Sequence, residues 1–228
     1  MMNDYDLCLY GHLTVDKVFT GFEESVTLGA LANVWYAFTK INPSLKIKLN
    51  PTSFGEAIIV VNRENSQRVG RANLNIRQKT PKIVNSRWHH IMYLNHLKDL
   101  DFISSIETGI VSADITSGGN FERIIPFLDK IDFLFISDED LFMDVYELSK
   151  KVSGNVILHY PSGSLTVGKN IESIEIKTEI INDLDVLGAG DIFAASFISS
   201  YMKTNDLKKS IEYSHKKTTD ILMEKKEI

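Results

Sequence analysis

Between residues 88 and 159 the chain alternates short apolar runs with longer amphipathic stretches, and few architectures accommodate that rhythm. Residues 88–94, 109–113, 133–136 and 155–159 read as buried strands, and residues 97–107, 120–130 and 138–151 between them as helices. Strands separated by helices of about 10–15 residues are joined by crossovers, so neighbouring strands run parallel with helices on the sheet faces. The expected fold is therefore α/β, a three-layer sandwich with a mostly parallel central sheet. With 228 residues and 43% hydrophobic content, the chain can bury one large core, and residues 1–228 are expected to form a single domain.

Composition removes several classes of function. The formal net charge is −5, whereas a nucleic-acid surface needs a basic face. The late lysines, among them Lys203, Lys208, Lys209, Lys216 and Lys217, alternate with acidic and apolar residues as on a solvated helix face. No apolar run approaches the roughly 20 residues of a membrane span. The opening M-M-N-D-Y-D-L-C-L-Y has no basic segment ahead of its apolar run and reads as a first strand. A lone cysteine, Cys8, excludes an intrachain disulfide and suits a reducing, cytoplasmic setting, with the thiol buried in that strand.

Chemistry concentrates in residues 181–201. A β-type run over 174–181 leads into Gly188-Ala189-Gly190-Asp191, and this loop opens onto a helix in which Phe193, Phe197 and Tyr201 recur every four residues. Small residues let the backbone approach a ligand, and the outward N–H groups of a first helical turn favour an anion. Phosphate suits such a seat, and Asp191 is placed to accept a proton from a hydroxyl attacking it. The same residues also suit a plain turn with Asp191 as an N-terminal cap.

Other strand ends carry polar residues. Residues 6–10 form a first strand followed by G-H-L-T-V-D, which puts Asp16 near the edge where open α/β sheets bind ligands, either holding a substrate hydroxyl or capping a loop. Gly29 permits close backbone approach, Asn33 is both donor and acceptor, and a helix begins just beyond and ends before Pro43. Residues 17–28 read as a small β excursion, and residues 52–62 with 67–76 as a hairpin. His89 and His90 are adjacent in a strand, hence on opposite faces, and do not suit a shared metal site.

The run D-V-L-G-A-G-D-I-F at 185–193 resembles the second signature of the ribokinase-like (phosphofructokinase-B) carbohydrate and nucleoside kinases, usually D-T-x-G-A-G-D-x-F, with Val186 in place of Thr. Residues 29–35, G-A-L-A-N-V-W, are similar to the short form of the first signature, G-G-x-A-N-x-A. The resemblance implies that Asp16, Gly29 and Asn33 grip substrate hydroxyls, and that a β lid made of about 17–28 and 52–76 covers them. It also implies that Asp191 is the base beside an anion hole of Gly188, Ala189 and Gly190. Ser137 and Asp140 stand at the family's N-x-x-E positions, tied to magnesium and phosphate, so Asp140 is expected to hold Mg2+ through water. His159 and Gly163 fall in the family's T-x-G-x-x-G region beside the nucleotide, with His159 replacing Thr and Pro161 replacing the first Gly. Asp185 is expected to bind a monovalent cation such as K+, and residues 206–224 to form helices beside the adenine pocket. The β-α unit usual between the asparagine helix and the hairpin is missing.

The expected activity is ATP-dependent phosphorylation of a small polyhydroxylated substrate: a sugar, a nucleoside or an inositol. A nucleoside needs an apolar or aromatic platform, for which Phe19, Trp35 and Phe54 are candidates. The alternative is a catalytically altered protein of the same fold that binds or regulates through a small molecule, which the replacements at 137, 140, 159 and 161 favour. A dinucleotide oxidoreductase is disfavoured because no G-x-G-x-x-G follows the first strand. Residues 58–61 are expected to be an exposed apolar edge covered by substrate or by a second copy, giving a homodimer through the lid.

Overall fold

In the computed structural model, which describes residues 4–61, 68–74, 80–116, 118, 120–169, 171–181 and 184–226, a ten-stranded sheet runs through the molecule. The strands are β1 (Tyr5–Thr20), β2 (Glu23–Ala30), β3 (Ile47–Val61), β4 (Arg68–Asn73), β5 (Ser86–Met92), β6 (Ile110–Ile115), β7 (Phe133–Ser137), β8 (Asn155–Tyr160), β9 (Gly163–Gly168) and β10 (Ile171–Lys177). Their order is β10-β9-β8-β7-β6-β5-β1-β3-β4, with β2 paired to β1 off this path. Pairing is parallel from β8 through β7, β6, β5 and β1 to β3, and antiparallel at β9, β10, β4 and β2. The mostly parallel α/β sheet read from residues 88–159 is present.

Apolar strands buried on both faces need cover on both, and two hydrophobic clusters provide it. On one face α1 (Leu31–Ile41), α3 (Ala189–Thr204) and α4 (Leu207–Lys226) pack over Leu7, Leu9, Trp88, Phe133 and Phe135. On the other, Cys8, Tyr10, Ile91, Leu134 and Ile136 meet Leu97, Phe102, Leu128 and Leu148. No helix among the described residues is long and apolar enough to cross a membrane.

The second face departs from expectation. The helices read over 97–107 and 120–130 are 3-10 turns, Asp101–Ser105, Phe121–Arg123 and Ile125–Lys130. Residues 138–151 give a 3-10 turn, Asp138–Asp140, and a short α2 (Val145–Ser149). Local polar side chains account for the interruptions. Asp99 Oδ1 accepts the Asp101 N–H at 3.1 Å, Asn120 Oδ1 accepts Glu122 N–H at 3.0 Å, and Asp144 Oδ1 accepts Tyr146 and Glu147 N–H at 2.9 and 3.1 Å. Each offers the backbone an alternative to the helical ladder, and Pro126 removes a further donor.

The segments expected to form a lid grow from the sheet itself. β1 is 16 residues and β3 15 residues long, so both run past the core and carry β2 and β4 on their far ends. Residues 58–61 are therefore no edge: Ile58 pairs with Lys17 of β1 on one side and Arg71 of β4 on the other. The apolar surface there is a sheet face, with Ile58 and Val60 about half exposed outward. Residues 62–67 and 75–76 of the expected hairpin lie outside the described residues. His89 and His90 diverge as expected, His89 Nδ1 bonding the Tyr10 hydroxyl at 3.0 Å and His90 Nδ1 the Ser112 hydroxyl at 2.8 Å.

Candidate active site

Where the parallel strands end and the extensions of β1 and β3 begin, a cavity of about 290 Å³ opens. Ends of adjacent parallel strands are where open α/β sheets bind ligands, because their connections leave a crevice there. His12, Thr14 and Asp16 follow one another at two-residue steps on β1, so they share one strand face, and all three line the cavity. Asn33 enters from the first turn of α1, Tyr93 and His96 from beyond β5, and Asp114 from β6. Ser137 and Asp140 come from the end of β7, His159 from β8, and Gly188, Gly190 and Asp191 from the start of α3.

Asp191 is 4% exposed, and its Oδ1 accepts the Tyr93 hydroxyl at 3.1 Å. Gly188 precedes α3 with φ 81, a left-handed conformation that glycine adopts without strain. A Cβ built there would lie 3.8 Å from Asp191 Oδ2 and 4.0 Å from Asn33 Nδ2, so the turn, the carboxylate and the amide are close neighbours. Ala189 does not share in the lining: its N–H donates to the Val186 carbonyl at 3.0 Å. Gly188, Gly190 and the first turn of α3 are thus what this loop presents to the cavity.

Asp16 is 7% exposed, and burial raises its carboxyl pKa above the ordinary carboxylate range. Gly29 stands across the β1–β2 ladder from Thr14, and a Cβ there would fall 2.1 Å from Asp16 Oδ2 and 2.4 Å from Thr14 Oγ1. Gly29 therefore makes room for the two polar side chains and is not itself part of the lining. Ala30, where the family signature has a second Gly, keeps φ 47 although it carries a Cβ, and it lines the cavity.

Further along, Ser137 Oγ donates to Asp140 Oδ2 at 2.6 Å. The His159 ring lies beside Gly190 and 5.6 Å from the Phe193 ring. Gly163 is elsewhere: it is buried in the β9–β10 pairing, where a Cβ would meet the Ile176 carbonyl at 2.0 Å. Asp185 is exposed outside the lining, and its Oδ1 accepts the Leu187 N–H at 3.0 Å, bracing the loop that leads to Gly188.

Sequence reading did not single out His12, Thr14, Tyr93, His96 or Asp114. His12 is 4% exposed, and its Nδ1 shares a hydrogen bond with the buried Ser53 hydroxyl of β3. Burial, followed by the neighbouring His96, pushes its pKa down to about 4, so the ring is neutral near pH 7. His12 Nε2 and Asp16 Oδ1 are both buried without a hydrogen-bond partner among the described residues. A buried polar atom left unpaired costs about 1–3 kcal/mol, which a ligand hydrogen bond would remove.

No protein-family profile and no curated protein matches the sequence. Solved structures do match in shape. An adenosine kinase from Sinorhizobium meliloti superposes with a TM-score of 0.77 at 12% identity, covering 96% of this chain and 94% of that one. A nucleoside kinase of the ribokinase family from Methanocaldococcus jannaschii gives 0.72 at 17% identity, with 98% and 93% covered. A ribokinase from Thermotoga maritima gives 0.71 at 18% identity, with 92% and 90% covered. These likenesses establish the ribokinase fold for the chain.

Proposed function

We propose that this chain, built on the ribokinase fold, is a phosphotransferase that moves the γ-phosphoryl group of ATP onto a hydroxyl of a small polyhydroxylated substrate. The observation that carries this reading is the convergence on one cavity of buried Asp191, with Gly188 and Gly190 beside it, and of Asp16 and Asn33. Asp16 and Asn33 hold the substrate. Asp191 orients the reacting hydroxyl and takes its proton as the oxygen bonds to the γ-phosphorus and the bond to the departing nucleotide breaks. The glycine turn and the first-turn amides of α3 meet the charge on the transferred group.

Ser137 and His159 are assigned to the donor, since both line the cavity near the α3 end, whereas buried Gly163 has no part in it. Among the described residues of the lining, four carboxylates, Asp16, Asp114, Asp140 and Asp191, face one guanidinium-bearing residue, Arg71. A polyphosphate enters such a cavity only with cations of its own. Asp140 would hold a magnesium ion through water, the ion keeping much of its hydration shell and neutralising phosphate charge. Exposed Asp185 fits at most a weakly held monovalent cation such as K+, bracing the loop ahead of Gly188.

A binding or regulatory module on the same fold is the second reading, favoured by the tie between Ser137 and Asp140 and by the distance of Gly163 from the cavity. ATP consumption over D-ribose, myo-inositol and adenosine separates the two. Wild type is expected to turn over at least one, and Asp191→Asn to lose about 10²- to 10⁴-fold in rate with an unchanged melting temperature. Turnover by Asp191→Asn at the wild-type rate removes Asp191 from the chemistry, and substrate binding without ATP consumption by wild type supports the module.

A further inference from the structure

Resting on the kinase reading of this cavity, we infer that the substrate is a polyol ring, a sugar or cyclitol rather than a nucleoside, and that His12 reads one of its hydroxyls. The cavity presents two orphaned polar atoms, His12 Nε2 and Asp16 Oδ1, on side chains more than nine-tenths buried. Both stand on the same face of β1, four residues and so roughly 13 Å apart along the strand. One ligand that satisfies both carries polar groups on two sides.

The chemistry of those atoms narrows the ligand. A carboxylate oxygen accepts, so Asp16 calls for a donor. The His12 ring is pinned through Nδ1 to Ser53, and Nε2 is a donor in one tautomer and an acceptor in the other. A hydroxyl answers either tautomer and also donates to Asp16. Between the two stands the Thr14 hydroxyl on the same strand face. A flat nucleobase would need an apolar or aromatic platform, and the apolar lining, Ala57, Ile59, Leu74, Ile115 and Leu187, is aliphatic. The aromatic candidates are elsewhere: Trp35 and Phe54 are 41% and 43% exposed, and neither they nor Phe19 are among the described lining residues. Tyr93 does line it, with its hydroxyl engaged on Asp191.

Calorimetric binding without nucleotide tests this independently of phosphoryl transfer. Wild type, His12→Ala, His12→Gln and Ser53→Ala are titrated with myo-inositol, D-ribose, D-fructose and adenosine, and melting temperatures report folding. At least one polyol is expected to bind wild type and adenosine not to. Affinity should fall about 10- to 100-fold in His12→Ala, recover in part in His12→Gln, whose amide reaches the Nε2 position, and fall less in Ser53→Ala, which frees the ring. Should His12→Ala not fold, Ser53→Ala and His12→Gln carry the test. Binding of adenosine alone, or of no polyol at millimolar concentration, overturns the substrate class. Unchanged polyol affinity in the folded variants overturns the role of His12. A polyol that binds but is not phosphorylated sinks the kinase reading and leaves this one standing; phosphorylation of adenosine alone does the reverse.

Discussion

Asp191 and Tyr93 are 98 positions apart in the chain and 3.1 Å apart in the fold. The Tyr93 hydroxyl holds Oδ1, and Oδ2 is left on the side of the glycine turn and Asn33. The proposed base is thereby fixed in one orientation, as the proposed in-line transfer would require. Tyr93→Phe is therefore expected to lower kcat about 10- to 100-fold, the range for losing a hydrogen bond to a charged group, with KM changed little. Initial-rate kinetics decide: a raised KM at constant kcat would mean that Tyr93 binds substrate and does not position the base. Asp191 could be picked out from its place after Gly188-Ala189-Gly190, because a loop and a helix start are local. Tyr93 and His12 could not, because their partners are set by which strand ends lie side by side.

Among the elements, β3 shows how one fact, strand length, reverses a reading. An apolar stretch over 58–61 suggested an unpaired edge, yet β3 is long enough to be paired by β1 and β4 throughout it. What remains unpartnered is the outer face, with Val26, Leu28, Phe54, Ile58 and Val60 all more than 40% exposed. Alternation makes that face unavoidable: Ala57 and Ile59 line the cavity, so Ile58 and Val60 point away from it. A sheet face of this kind is expected to meet its copy, giving a homodimer through the lid. Sedimentation should then show a dimer that Ile58→Lys with Val60→Lys dissociates, and a wild type that stays monomeric at every concentration would dispose of the idea. On the opposite side of the core, the expected helices became 3-10 turns for a reason equally local. Asn120 and Asp144 cap short turns, Asp99 accepts the Asp101 N–H, and Pro126 breaks the second stretch, signals outweighed by the apolar periodicity in reading the sequence.

For the molecule as a whole, buried neutral histidines link folding to pH. Burial pushes His12 and His215 down to about 4 and His90 to about 3, against about 6.5 for the unfolded chain. The folded state therefore binds fewer protons than the unfolded one below pH 6.5, and stability falls as pH drops from there toward 4. His89 is lowered by burial as well, and Asp16, raised by burial, works in the opposite sense, one group against four. The melting temperature is expected to hold level above pH 7 and to decline progressively from pH 6.5 to 4. A profile flat across that window would mean that these rings are hydrated and protonate without unfolding.

Periodicity and small residues sufficed for the parallel sheet, the strands that pair with the ends of β1 and β3, and the Gly-Ala-Gly-Asp helix start, since each depends on neighbours within a few positions. Tertiary structure alone decided which polar groups share the cavity, that Gly163 and Ala189 stand apart from it, and that His12 faces inward with a nitrogen unpaired. Those outcomes follow from strand order and register, which bring residues from β1, β5, β6, β7, β8 and α3 to one edge and which no local stretch of sequence encodes.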